Sequence, residues 1–529
     1  MQDLPVRSCT AKTELSAKSH RYPAKKTPMQ RKNRVKNLMK PLPALLVSSL
    51  LCVTPALAQQ AMTQEEGQAT FDAVLAETAE LINEMNIPGL GVGVIHGPNT
   101  YSAGLGITKV GTDEAVTPDT QFQIGSVTKT FLSTVALQLS ERGELDLNAR
   151  VVDLLPWWRV ADAEATSKAR VVDLFHHRAG WYGDHGFLRV PPGGSISEKV
   201  MLQAAYVEQL YPFGQTWMYN NTSITFATHV VSHAGGKPIE DLIEENLLTP
   251  LGMESSSFNY DATPPAKDYA WGHPPIYGDG NINDLEPYYI PLIRESAASG
   301  ALRSTINDML KYARFQLDGK DAAGNQLLSE EALDYAHAPA VEAEAGDFTG
   351  LTWFIHDYDG ITSPSHGGNW PGTRSFLQLI PDRDFAVVVL VHSDRGSEAY
   401  KKVANAMVKA FTGIEADSPV AAGVDPAVLD PFVGVFKGNS QNIEIRKEGD
   451  KYVFVQFSAL TSGSDPAPAN VANTADGYFI ITEGPNEGAL GELLEDPSGE
   501  LNYVRFNHRI FIRGDGAVDD FDLSGTVFQ

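Results

Sequence analysis

Gln123-Ile124-Gly125-Ser126-Val127-Thr128-Lys129-Thr130-Phe131 opens a run of apolar positions at helical spacing, and its first polar residues decide how the chain is read. A serine at the start of a helix is ordinarily an N-cap. Lys129 does not fit that reading. A capping box wants Glu or Gln three residues after the cap, and a cation in the first turn faces the positive end of the helix dipole. The i, i+3 spacing puts the ammonium and the hydroxyl on one helix face. A locally unfavourable choice of this kind is expected where chemistry is done. A serine nucleophile needs a base within hydrogen-bond reach, and a lysine serves if burial or nearby positive charge lowers its pKa from about 10.4. Ser-x-x-Lys alone is a weak signal, because two common residues at one spacing recur by composition.

Around this segment the hydrophobic pattern is mixed. Thr63-Gln64-Glu65-Glu66 reads as a capping box before a helix toward Met85. Strand-like runs follow at Leu90–Ile95 and Tyr101–Ile107, turned by Gly97-Pro98-Asn99. Residues 126–340 read mainly as helix, and strand character returns at Leu351–Ile355, Thr373–Ile380 and Phe385–His392, before a last helix over Ser397–Phe411. Strands, a large helical insert, strands and a helix predict an α+β domain, with an antiparallel sheet built from both ends of the segment and flanked by helices. Residues 415–430, rich in Pro, Gly and Ala, read as a linker. Beyond them six short strand patterns predict an all-β domain over 431–529, barrel or sandwich.

Two further elements corroborate the serine–lysine pair. Pro212-Phe213-Gly214-Gln215-Thr216-Trp217-Met218-Tyr219-Asn220-Asn221 places Tyr219 and Asn221 two residues apart before a helix. His366-Gly367-Gly368-Asn369 lies just ahead of the 373–392 hairpin, with adjacent glycines that let a substrate backbone approach closely. Taken singly, Tyr219 reads as a packed aromatic, Asn221 as a helix cap and His366 as a turn histidine.

In this order the three elements resemble the serine β-lactamase and penicillin-binding protein family, in its class C β-lactamase, DD-peptidase and family VIII esterase branch. Flanking text agrees at Pro250-Leu251-Gly252-Met253 and at Ala298–Thr305 with Asp308, so the likeness spans about 65–413. The resemblance implies a β-lactamase/transpeptidase-like fold over 59–414. It also implies an acyl-enzyme on Ser126, proton transfer by Lys129 and Tyr219, and substrate contacts from Asn221, His366, Gly367 and Gly368. The backbone N–H groups of Ser126 and Asn369 would form the oxyanion hole, with no cofactor and no metal. The C-terminal domain resembles lipocalin-like modules appended to some relatives. Where many relatives have Lys-Thr-Gly, this chain has His366-Gly367-Gly368, and where many have Tyr-Ser-Asn it has Tyr219-Asn220-Asn221. Histidine is mostly neutral at pH 7, which predicts weak β-lactam hydrolysis. The expected activity is that of a peptidase or amidase of DD-peptidase-like type, with a carboxylesterase and a non-turnover penicillin-binding or sensor protein as alternatives.

Composition bounds the rest. The 529 residues carry 41 Lys+Arg against 66 Asp+Glu, a formal charge of −25. Eleven of the bases but only two of the acids, Asp3 and Glu14, fall in 1–58. From Met29, a basic stretch, an apolar run over Leu42–Leu57 and Ala56-Leu57-Ala58 read as a signal peptide and its cleavage site, with translation expected to start at Met29. Pro43 and Pro55 in a short apolar run disfavour a permanent span. Cleavage would leave 30 bases and 64 acids, a charge of −34, and would remove Cys9 and Cys52, the chain's two cysteines. The expected product is an exported, periplasmic or extracellular protein without disulfide or thiolate chemistry. Its acidity excludes nucleic acid as a partner and leaves a small peptide, amide or ester as substrate. His229 and His233 have a metal-like spacing, but Val230 stands where a metalloprotease has Glu, so a surface pair is the expected reading.

Overall fold

A computed structural model describes residues 62–184, 203–258, 268–274, 285–292, 297–416, 419–438, 441–458, 468–484, 486–496 and 499–514, with residues 200, 260 and 294. The expected leader with both cysteines lies outside the described residues.

Helix α1 (Gln64–Glu84) begins as its sequence predicts. Thr63 accepts from the Glu66 N–H, and Glu66 accepts from the Thr63 N–H, a reciprocal cap. It buries Phe71, Val74 and Ile82 against helix α5 (Gly396–Thr412) and against one face of the sheet. That sheet has eight antiparallel strands: β1 (Gly89–His96), β2 (Asn99–Gly106), β3 (Val341–Glu342), β4 (Phe348–Thr349), β5 (Phe354–Tyr358), β6 (Ile361–Trp370), β7 (Thr373–Ile380) and β8 (Phe385–Val391), in spatial order β2-β1-β8-β7-β6-β5-β4-β3. Both ends of the segment thus meet in one sheet, where β1 pairs with β8 from Leu90 opposite Val391 to His96 opposite Phe385.

The alternation Gly-Leu-Gly-Val-Gly-Val in β1 has a packing cause. Leu90, Val92 and Val94 enter the core shared with α1 and α5. Gly91 and Gly93 between them lie under helix α4 (Ile306–Asp318), so closely that a Cβ on Gly91 would come within 2.6 Å of Ile306 Cγ1. The helical insert fills the other side of the sheet around α2 (Thr128–Glu141), whose residues Thr128–Leu139 are all buried.

His366-Gly367-Gly368-Asn369 precedes the 373–392 hairpin as expected, but it is itself strand, part of β6, which pairs with the hairpin's first strand β7. In β6, His366 lies opposite Leu377, Gly367 opposite Phe376 and Gly368 opposite Ser375. The segment lacks the β-branched alternation that signals a strand because its glycines answer to close packing. A Cβ on Gly368 would stand 2.0 Å from the Ile124 carbonyl oxygen.

The C-terminal strands close into a barrel of eight: β9 (Gly434–Lys437), β10 (Gln441–Glu448), β11 (Lys451–Ser458), β12 (Ala469–Asn473), β13 (Phe479–Ile481), β14 (Leu490–Glu495), β15 (Leu501–Phe506) and β16 (Arg509–Arg513), with β9 paired to both β10 and β16. Closure removes free sheet edges. Two strands, β12 and β14, exceed the six expected: Ala-Asn-Val-Ala-Asn is short and half polar, and Leu-Gly-Glu-Leu-Leu-Glu has no period-2 pattern. Aromatic and branched side chains including Phe432, Phe436, Ile443, Phe454, Phe479 and Phe506 pack together as the barrel's core. Residues 422–423, within the expected linker, pair with Asn473 of β12. No described helix is long and apolar enough to cross a membrane.

Candidate active site

Ser126 lies in a short turn of 3₁₀ helix, Gly125–Val127, that leads into α2. It caps nothing: the start of α2 has no side-chain cap. Instead its Oγ accepts a hydrogen bond of 2.9 Å from Lys129 Nζ, which also donates to the carbonyl of Ser299 at 2.5 Å. Lys129 is fully buried because α2 is the central helix of the insert. Burial, and then the charge of Arg509, push its pKa well below the usual lysine value, against a smaller opposing pull from Asp184. The amine is thereby available as a neutral base.

Tyr219 sits at the end of an extended segment before helix α3 (Asn221–Gly235). Of the two asparagines, Asn220 caps α3, accepting from the Ser223 N–H at 2.8 Å and donating to the Trp181 carbonyl. Asn221 is thereby left to turn its amide toward the cleft, where it donates to Asp184 Oδ1 at 2.7 Å. The Tyr219 ring lies 5.2 Å from Lys129 Nζ. Its hydroxyl makes no bond of full hydrogen-bonding geometry, though Ser126 is near enough to favour its ionised form. Burial outweighs that help and raises the phenol, so Tyr219 rests protonated.

His366 is buried beside Tyr219, ring centroids 6.1 Å apart. Its Nδ1–H donates to the Gly367 carbonyl at 2.6 Å, which makes Nε2 the unprotonated nitrogen. Burial first, then Lys129, push its pKa down to about 3. The side chain at position 366 is therefore uncharged. Gly125, at φ +50°, packs flush on β6: a Cβ there would meet the Asn369 backbone N at 2.7 Å. The backbones of Ser126 and Asn369 therefore adjoin, and Ser375 fixes the junction by donating to the Ile124 carbonyl at 2.6 Å. Ser126, Lys129, Tyr219 and His366 lie together here with the backbones of Gly368 and Asn369, and Asn221 is held at Asp184, whereas Gly367 turns toward Tyr400 of α5.

The sequence pattern does not mark residues on either side of it. His177, at φ +56°, brackets Tyr219: its carbonyl accepts from the Met218 N–H at 3.0 Å and its Nδ1 from the Asn220 N–H at 3.1 Å, with its ring 4.6 Å from the tyrosine's. The β15–β16 hairpin of the barrel reaches into the same place. The His508 carbonyl accepts from the Tyr219 N–H at 3.0 Å, and Arg505 donates to the Trp217 carbonyl at 2.9 Å. Arg509 forms a two-pronged ion pair with Asp184 at 2.6 and 3.2 Å and stands 4.8 Å from the Tyr219 ring centroid. Burial alone would raise the Asp184 carboxyl, but Arg509 and the Asn221 amide outweigh it and hold the pKa low. Asp184 is legible in sequence as a residue of an aromatic-rich loop that either lines the cleft or packs. Nothing local marks Arg509, since its role depends on a domain more than a hundred residues away docking on the cleft.

Other expectations resolve simply. His229 is buried on α3, so the histidines at 229 and 233 are not a surface pair, and the described residues contain no group able to hold a metal ion. Trp158 is buried and the adjacent Trp157 is exposed.

Comparison with known proteins identifies the family. A family model described as Beta-lactamase matches residues 65–410. Penicillin-binding protein 4 of Amycolatopsis lactamdurans is 26% identical over 383 residues, covering 70% of this chain and 96% of that protein. The Unguisins hydrolase ungD' of Aspergillus campestris is 27% identical over 348 residues, 63% of this chain and 64% of its own length. Among solved structures, that of SurE superposes with a TM-score of 0.66 at 22% identity, covering 84% of this chain and 100% of its own, a span too long for residues 65–410 alone. On the match of its family model, over well more than half its length, the chain belongs to the β-lactamase family of serine hydrolases and penicillin-binding proteins.

Proposed function

We propose that the protein is an exported serine hydrolase that works through an acyl-enzyme on Ser126, with peptides or amides of the kind cleaved by DD-peptidases as its substrates. The observation that carries this reading is the 2.9 Å bond between Ser126 Oγ and a buried lysine whose pKa is strongly lowered. Ser126 Oγ attacks the substrate carbonyl carbon while its proton passes to the Lys129 amine. The carbonyl electrons move onto oxygen, toward the Ser126 and Asn369 N–H groups. Collapse breaks the bond to the leaving amine, which takes a proton from the Tyr219 hydroxyl, and the Lys129 ammonium reprotonates the phenolate. Water then cleaves the Ser126 ester by the same steps in reverse roles. Asn221, aimed by Asp184, contacts the substrate amide, and the glycines of β6 allow its backbone to lie against the strand.

The neutral state of His366 favours a second reading, carboxylesterase activity. A site without a fixed cation there has less use for the carboxylate of a β-lactam or peptide terminus. Turnover of D-amino-acid dipeptides, short acyl esters and a chromogenic cephalosporin, each compared with a Ser126→Ala control, separates the readings. Faster release from the peptides supports the first. Ester turnover alone replaces it with the second, and turnover surviving in Ser126→Ala removes both.

A further inference from the structure

The cleft lacks a cation that its relatives' pattern would place at position 366, yet a tyrosine that gives up its proton needs positive charge beside it. Two basic side chains face the Tyr219 ring. Lys129 Nζ stands 5.2 Å from the ring centroid, and the Arg509 guanidinium, delivered by the barrel's β15–β16 hairpin, stands 4.8 Å away. Arg509 is held there by Asp184 and by the neighbouring bond from the Tyr219 N–H to the His508 carbonyl. We propose that Arg509 is an electrostatic positioning residue for the Lys129–Tyr219 pair, supplying from the second domain the positive charge that His366 does not. The inference rests on the acyl-enzyme reading above.

A guanidinium beside both groups favours the neutral amine of Lys129, which must accept a proton, and the phenolate of Tyr219, which must part with one. Both groups are pulled down by Arg509 and up by Asp184. Of the other groups facing the pair, His177 and His366 are both held neutral by burial. His508, whose Nδ1 is 2.6 Å from Glu344, packs on Trp217 and Phe354. Asp184 and Arg509 are each about a third exposed, so their influence is moderate and best read as a shift in a pH profile.

The test is the pH dependence of kcat/KM for 4-nitrophenyl acetate in the full chain, measured for the parent and for Arg509→Gln, Arg509→Lys, Asp184→Asn and the Asp184→Asn/Arg509→Gln double variant. His508 is kept in all of them. Arg509→Gln should move the acidic limb up by about one pH unit, lowering the rate below the limb about tenfold while the alkaline plateau stays near the parent's. Arg509→Lys should restore most of the shift. Asp184→Asn should move the limb the other way, and the double variant should fall between the two single ones. A uniform loss at every pH, or an unmoved limb, overturns the inference. Should Arg509→Gln fail to fold, Asp184→Asn decides from the hydrolase side: a lowered limb supports the inference and an unmoved one overturns it. If the parent's turnover does not depend on Ser126, the acyl-enzyme reading fails and takes this inference with it. If it does and the limbs coincide, only this inference fails.

Discussion

The backbone N–H of Tyr219 donates to the carbonyl of His508 at 3.0 Å, so the residue proposed to move protons is tied to the tip of a barrel that begins after residue 430. Two residues away the tie is repeated by Arg505, whose guanidinium donates to the Trp217 carbonyl and pairs with Glu492 at 2.5 Å. The Tyr211 and Tyr503 rings meet edge to face beside it, centroids 4.9 Å apart. The segment 217–219 is thus held from the hydrolase side by His177 and from the barrel side by this hairpin.

Arg505→Met should test the barrel side. The arginine is buried and Glu492 nearly so. Removing one partner strands the other charge, and the expected loss of stability is about 3 kcal/mol. It should be visible in chemical denaturation, with a lower kcat in the protein that remains folded. Unchanged stability would mean that the pair is solvated in solution.

On the other side, His177→Ala removes the acceptor for the Asn220 N–H and the ring against Tyr219, in a backbone conformation that few side chains favour. The expected result is a fall in kcat of roughly ten- to a hundredfold, with a smaller change in KM, because the catalytic geometry and not the binding surface is disturbed. A change confined to KM would instead place His177 among the substrate contacts.

Much of this is legible in the sequence, and the residues that are not share a cause. Ser126 and Lys129 sit in a segment whose local chemistry is odd for its position, a lysine at a helix start, and Tyr219 and His366 are picked out by their order behind it. Local rules flag such conflicts. Asp184, His177, Arg505 and Arg509 are locally ordinary and acquire meaning only from contacts across the fold. The same holds for β6, whose glycines answer to Ile124 and not to their own strand, and for β12 and β14, whose short polar runs become strands because barrel closure requires them.

Gly368→Ala tests that packing. The added methyl would lie 2.0 Å from the Ile124 carbonyl oxygen and 2.1 Å from Ser375 Oγ. With backbone on one side, the strand must move away from the turn that carries Ser126. An acylation rate at least tenfold slower is expected with little change in far-UV circular dichroism. Parent-like acylation would show that the strand and the Ser126 turn are not so closely joined.

Acid should destabilise the fold through its buried histidines. Burial lowers His366 and His337 to about 3, and His176 and His273 to about 4. Below the unfolded value of about 6.5 the unfolded chain takes up protons that the folded one refuses, so stability falls with pH from there toward the folded values. Each such histidine contributes about 1.4 kcal/mol per pH unit in that window. His337, outside the cleft, donates to Gln316 Oε1 at 3.2 Å. His337→Gln should flatten the pH dependence of the denaturation midpoint by that amount, and an unchanged slope would count against its burial as a neutral ring.

The central claim is a covalent one, that Ser126 becomes acylated with Lys129 as its base. Intact-mass spectrometry after incubation with benzylpenicillin and with an activated D-alanyl ester tests it most directly. The account predicts a single adduct, mapped by proteolysis to the peptide containing Ser126, absent in Ser126→Ala and formed at least a thousandfold more slowly in Lys129→Met. An adduct on another residue, or undiminished labelling of the Ser126→Ala protein, would contradict it.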